Sequence, residues 1–81
     1  MATLTVYRAH GLRFIIFVDD HVPAHVHVFA DGHIKINLAG ADGAPEIVTI
    51  EGMQRGDVRH AMQTVIEQQQ YLLSRWREIH G

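Results

Sequence analysis

Three histidines around Pro23 have a spacing that could form a chemical site. His25 and His27 are two residues apart, and His21 lies just before the proline. Because alternate residues of a strand point to the same face, a strand over residues 24–30 directs the imidazoles of His25 and His27 to one side. Pro23 fixes its own φ and lacks an N–H, so it favours a turn that brings His21 to the same spot. We therefore expect the three imidazoles to converge, and the sequence leaves open whether a carboxylate joins them.

A divalent metal ion is one use of such a cluster. Imidazole nitrogens from His21, His25 and His27 are a suitable ligand set for a single ion such as zinc, with one position left for water. No Asp or Glu stands at a spacing that identifies a further ligand.

Acid–base catalysis is a second use. One neutral imidazole of the pair His25 and His27 would accept a proton while the other donates one, as RNA cleavage without a metal requires. No serine or threonine stands beside the cluster as a nucleophile, which favours phosphodiester cleavage over acyl transfer. The alternating pattern differs from that of histidine-triad nucleotide hydrolases at Pro23, which occupies the place of the first histidine.

Composition limits the class of protein. The 81 residues, 47% of them hydrophobic and 20% charged, are typical of a single globular domain over residues 1–81. The chain has no cysteine, which excludes disulfides and zinc–thiolate sites. No apolar run approaches the roughly 18 residues of a membrane span, and no export signal is evident, so we expect a cytoplasmic protein. The net charge of −2 argues against DNA binding through bulk electrostatics.

Hydrophobic periodicity predicts the elements that position the histidines. Strands are expected over residues 3–8, 12–19, 24–30, 33–38 and 46–51. Apolar residues at three- and four-residue spacing predict one long C-terminal helix over residues 58–79. We expect an α+β fold, a mostly antiparallel sheet of four or five strands with this helix packed on it.

The turn between the third and fourth strands decides which face the histidines occupy. Asp31-Gly32 is typical of a two-residue hairpin loop, because glycine tolerates positive φ. A two-residue loop pairs His27 with Ile36 on the more apolar face, which also carries His25. The opposite face then carries His33, outside the cluster.

Four parts of the chain carry a family resemblance. They are the Arg13-Phe14 strand, the segment Asp20-His21-x-Pro23-x-His25-Val26-His27-Val28, the strand Lys35-Ile36-Asn37-Leu38 and the helix near Trp76. Together they are similar to the small bacterial family named domain of unknown function 4160. Ala24 stands where a second proline is expected, which affects loop stiffness more than chemistry. The resemblance implies a short protein of toxin–antitoxin type, suspected as the toxin, and it implies no catalytic residue.

Two hypotheses of different class follow. In the first, the chain is a small cytoplasmic toxin–antitoxin-type component whose His21, His25 and His27 cluster performs acid–base or metal-assisted chemistry on RNA. In the second, it is a non-enzymatic interaction or inhibitor module, its histidines bonded to loop carbonyls and its strand edges binding a protein partner. We expect a cognate small protein partner and no membrane association. A homodimer through a hairpin edge stays open.

Overall fold

The computed structural model describes residues 3–81. Over that range five strands precede two helices, and the order is β1 Thr3–Ala9, β2 Leu12–Phe17, β3 His25–Phe29, β4 His33–Asn37, β5 Glu46–Glu51, α1 Arg55–Glu67 and α2 Gln69–His80. The predicted α+β class with an antiparallel sheet is confirmed. Within the described residues, neither helix is both long and apolar enough to cross a bilayer.

The sheet is an antiparallel meander in the order β1-β2-β3-β4-β5. Each strand pairs with the next one along the chain, because a short turn is enough to join antiparallel neighbours. β1 and β5 are therefore the two edges of the sheet.

The core lies between one face of the sheet and the two helices. Phe14, Val28 and Ile34 are fully buried on this face, and Val65 and Leu72 of the helices are fully buried against the same cluster. The helices cover little of the other side of the sheet, where Trp76 of α2 lies beside His25. We call that side the open face; it carries Arg8, Arg13, Ile15, Phe17, His25, His27, Phe29, His33 and Lys35.

The predicted single long helix is corrected to two, with a break at Gln68, whose φ and ψ are −107° and 19°. Beside the break, the amide of Gln69 donates hydrogen bonds to the carbonyl oxygens of Leu38 at 2.7 Å and Gly43 at 2.8 Å. These bonds fix the start of α2 to the loop between β4 and β5. The apolar stripe continues across the break, so its periodicity predicts one helix.

The turn between β3 and β4 is longer than expected. His27 pairs with Lys35, and Phe29 pairs with His33, so the loop contains the three residues 30–32. Side chains alternate between the two faces of a strand. A shift of one position therefore reverses which side chains of β4 share a face with a given side chain of β3. His25 and His27 therefore lie on the open face together with His33, and the expectation that His33 lies apart from them is wrong.

Gly32 allows this turn to pack against the segment that leads into α1. A Cβ atom at position 32 would lie 2.4 Å from the backbone carbon of Gly52 and 2.4 Å from the nitrogen of Met53. These are backbone atoms, which cannot move aside as a flexible side chain can. Glycine is therefore required by close approach, and the turn is fixed in place by its neighbours.

Candidate metal centre

Two of the three predicted histidines meet on the open face. The rings of His25 and His27 have centroids 5.1 Å apart, as the alternation of a strand requires. The third member of the group is Asp20, from the loop between β2 and β3. One side-chain donor atom from each of Asp20, His25 and His27 lies within 4.8 Å of the others.

Asp20 is positioned by a tight turn that follows β2. The N–H of Phe17 donates to Oδ2 of Asp20 at 3.0 Å, and the N–H of Asp20 donates to the carbonyl oxygen of Phe17 at 3.1 Å. This reciprocal pair returns the chain over the open face, as the short side chains of Asp commonly do in turns. The side chain of Asp20 is 15% exposed, so the carboxylate is largely removed from water.

The carboxylate lies between the two imidazoles. Its Oδ2 is 3.3 Å from Nε2 of His25, and its Oδ1 is 3.7 Å from Nε2 of His27. For bonds of about 2.0–2.2 Å to zinc, two ligands of a tetrahedral site lie about 3.4 Å apart. The two separations from Asp20 are close to that value, and the donor atoms of the whole group lie within 4.8 Å of one another.

The backbone determines which nitrogen of His25 carries its proton. Nδ1 lies 2.8 Å from the carbonyl oxygen of Pro23, which can only accept, so Nδ1 is the donor. In a neutral ring Nε2 then presents a lone pair to the carboxylate of Asp20. Two acceptors facing each other at 3.3 Å repel unless a proton or a metal cation lies between them. Ring nitrogens that bind metals are commonly oriented by a bond of this kind from the other nitrogen.

His27 is oriented by His33. Nδ1 of His27 lies 2.8 Å from Nε2 of His33, and Nδ1 of His33 lies 3.6 Å from Oε1 of Glu51. When Nε2 of His27 binds a cation, the proton of the neutral ring stays on Nδ1, which donates to Nε2 of His33. The proton of His33 then lies on Nδ1, facing Glu51.

Apolar and aromatic groups surround the centre. The ring of Phe17 meets His27 edge to face at 4.8 Å, and the ring of Trp76 lies 5.2 Å from that of His25. Burial lowers the pKa of His27 below its ordinary value of 6.5; the charge of Asp20 opposes this shift, and nearby cationic groups add to it. A neutral imidazole is the form that binds a metal ion.

The predicted and observed groups differ at two positions. His21 is exposed, and the cluster formed within residues 3–81 contains Asp20 in its place. His33 was expected on the face opposite to His25 and His27. A three-residue loop around Asp31-Gly32 would have predicted that it lies on the same face as they do. The sequence signal for Asp20 is its position three residues after the end of a buried strand, where an Asp side chain can accept a hydrogen bond from the backbone of that strand. This signal alone does not identify Asp20 as a member of the group.

The arrangement of two imidazoles and one carboxylate is a recognised ligand set. It is found in zinc hydrolases and in non-haem iron sites, where open positions remain for water and substrate. Each ligand is oriented by a further group: Phe17 N–H for Asp20, the Pro23 carbonyl for His25 and His33 for His27.

Comparison with the curated proteins and with the solved structures found no match. A family model matches residues 11–77, which include the strands β2 to β5, the centre, all of α1 and most of α2. The chain belongs to the family described as a domain of unknown function, DUF4160.

Proposed function

We propose that this protein is a small metal-dependent hydrolase of RNA, with one divalent ion held by Asp20, His25 and His27. The observation that supports this proposal most directly is the 3.3 Å separation between Nε2 of His25 and Oδ2 of Asp20. Since Nδ1 of His25 donates to Pro23, a neutral His25 ring presents the lone pair of Nε2 to Oδ2 of Asp20, and two acceptors then face each other across this space. A cation there replaces their repulsion with two bonds.

Such an ion supplies what phosphodiester hydrolysis needs. It polarises a phosphoryl oxygen and lowers the pKa of a bound water, which makes hydroxide available near neutral pH. In hydrolysis, the oxygen of one water molecule would form the new P–O bond, the P–O5′ bond would break, and a proton from that water would end on the departing O5′ oxygen. The basic side chains of Arg13 and Lys35 lie on the same face and favour an anionic substrate.

We further propose that the protein acts in the cytoplasm as part of a toxin–antitoxin-type pair. The β5 edge supports a protein partner, because Ile47, Val48 and Ile50 are 39%, 44% and 50% exposed. An edge strand offers backbone N–H and C=O groups that a partner's strand can join. Glu46 and Glu51 bound this apolar run, so the complementary segment has apolar residues between basic ones.

Calorimetric titration of chelator-treated protein with Zn²⁺ tests the centre. We expect one ion per chain, and loss of binding in Asp20→Asn, His25→Ala and His27→Ala. His21→Ala is the matched control, because this exposed imidazole adjoins Asp20 without belonging to the group, and it should bind zinc as the unsubstituted protein does. Equal zinc binding by the unsubstituted protein and His27→Ala would contradict the centre.

Incubation with single-stranded RNA tests the reaction. We expect cleavage in the presence of metal, and its loss both in chelator and in His27→Ala. Cleavage that persists in chelator would contradict metal assistance and favour acid–base catalysis by His25 and His27. Bound metal without any cleavage would contradict the assignment as an RNA hydrolase.

A non-enzymatic interaction module is the second candidate. It is favoured by the burial of His25, which is 4% exposed and packs beside Trp76, as a structural histidine does. Growth of cells that express the protein separates the candidates. If His27→Ala keeps the fold and abolishes growth inhibition, the hydrolase is supported. If only Ile50→Lys on the β5 edge abolishes inhibition, the interaction module is supported.

A further inference from the structure

A cavity outside the metal centre lies at the end of the sheet where the β1–β2 and β3–β4 turns meet. Its volume is about 480 Å³. The lining includes basic, aromatic and acidic side chains: Arg8, His10, Arg13, Phe29, Asp31 and Asp57. Of these residues only Arg13 has a role in the proposed function, where its charge favours an anionic substrate.

The two arginines of the cavity are paired with each other across the sheet. Arg8 is the cross-strand partner of Arg13, so the two side chains leave the sheet on the same face. Like charges directly opposite each other destabilise a pair of strands. None of the ion pairs formed within residues 3–81 uses either guanidinium, although two aspartates also line the cavity. A bound anion relieves this repulsion.

The cavity includes residues of the open face, and a row of contacting side chains on that face joins it to the metal centre. Arg13 pairs with Phe29, which pairs with His33, and the guanidinium carbon of Arg13 lies 5.8 Å from the centre of the Phe29 ring. The rings of Phe29 and His33 stack at 4.7 Å, and His33 contacts the metal ligand His27. Phe29 and His27 are two residues apart on β3, which is about 7 Å along a strand.

We infer that this cavity is a phosphate-binding subsite for single-stranded RNA. Arg8 and Arg13 bind a phosphate group, for which the planar fork of a guanidinium is suited. Phe29 lies between Arg13 and His33 and lines the cavity, where its ring edge offers an apolar contact that an unpaired base can reach. This inference rests on the proposed function and specifies its substrate, because an RNA strand lying along β3 then reaches the metal centre with a neighbouring phosphodiester.

Fluorescence anisotropy of a labelled RNA single strand of about ten nucleotides tests the subsite. Chelator-treated protein is used so that the RNA is not cleaved. We expect Arg8→Ala and Arg13→Ala each to weaken RNA binding about tenfold. Each should also reduce the slope of log affinity against log salt concentration by about one, the amount that corresponds to one phosphate contact. Arg77→Ala removes the same charge from an exposed position on α2 and should bind RNA as the unsubstituted protein does.

Zinc titration of the same variants separates this subsite from the metal centre. Arg8→Ala and Arg13→Ala should bind zinc normally, whereas His25→Ala should lose zinc and keep RNA binding. Thermal unfolding verifies that each variant is folded. Arg13→Lys keeps the charge without the planar guanidinium, so its RNA affinity should lie between those of the unsubstituted protein and Arg13→Ala. A folded Arg13→Lys variant keeps the test decisive if an alanine variant does not fold.

Three results would overturn the inference. The first is equal RNA affinity in the unsubstituted protein and Arg13→Ala. The second is binding of duplex RNA or single-stranded DNA as tightly as single-stranded RNA. The third is the absence of RNA binding at protein concentrations where zinc binds, which would leave this surface to a protein partner.

Discussion

Nδ1 of His27 and Nε2 of His33 lie 2.8 Å apart, although the two residues belong to neighbouring strands and are not cross-strand partners. This contact requires one ring to donate and the other to accept. When Nε2 of His27 binds a cation, its Nδ1 keeps the proton of the ring and donates to His33, whose other nitrogen faces Glu51. A residue on a neighbouring strand then orients the lone pair that His27 offers to the ion.

The first prediction concerns this orienting role. His33→Ala should lower zinc affinity about 10- to 100-fold without abolishing binding, because groups that orient a ligand contribute by that amount. Calorimetric titration measures the effect. His60→Ala, on α1 and outside the group of Asp20, His25 and His27, is the matched control. Unchanged zinc affinity in His33→Ala would show that His27 does not need this partner.

The second prediction concerns the pH dependence of stability. Burial keeps the folded-state pKa of His27 below 6.5, whereas the unfolded chain takes up a proton near 6.5. The unfolded state therefore binds more protons below that pH, and the free energy of unfolding of metal-free protein should fall as the pH drops from about 7.5 to about 5.5.

Urea denaturation across this pH range measures the decline. The decline should be smaller in His27→Gln, which cannot be protonated, and unchanged in His21→Ala, whose imidazole is exposed. The same decline in the unsubstituted protein and His27→Gln would assign the pH dependence to other groups.

The third prediction concerns the turn between β3 and β4. Gly32→Ala should lower the free energy of unfolding by about 2 kcal/mol or more, because its Cβ would overlap the backbone of Gly52 and Met53. Gly56→Ala is the matched control, since a Cβ there meets nothing within 4 Å and the residue is helical. It should stabilise the protein by about 0.5–1 kcal/mol. Similar melting temperatures for the two variants would contradict the close approach.

The fourth prediction concerns the break between the helices. Gln69→Ala should lower the free energy of unfolding by about 1–2 kcal/mol, because two carbonyl groups lose their donor. Gln70→Ala, at an exposed neighbouring position, should change the stability little. Chemical denaturation compares the two variants. Equal stability of both would mean that the α2 start is held by apolar packing alone.

Most of the fold could be predicted from local patterns. β5 was expected over residues 46–51 and has those bounds, because turn residues precede and follow it. The helix break at Gln68 could not be predicted, because the apolar stripe runs through it unchanged. What distinguishes the break is a contact between Gln69 and a loop more than twenty residues away, and periodicity carries no information on such contacts.

The site was predictable in part for a similar reason. That His25 and His27 share a face follows from strand alternation alone. Which face they share depended on the length of one loop, and the two-residue assumption placed them among the core residues. Asp20 enters the group through the turn that follows β2, and the identity of that turn depends on tertiary packing as well as on sequence.

The three-residue turn over residues 30–32 has a consequence for how this sequence can change. Removal of one residue there would reverse the alternation of one strand relative to the other, so that Val26 and Val28 would no longer share a buried face with Ile34 and Ile36. Substitutions within the turn are tolerated only where they preserve its length and the absence of a side chain at Gly32. Insertions and deletions at this turn should therefore be rare among functional variants, even though it lies at the surface, where loops usually vary most.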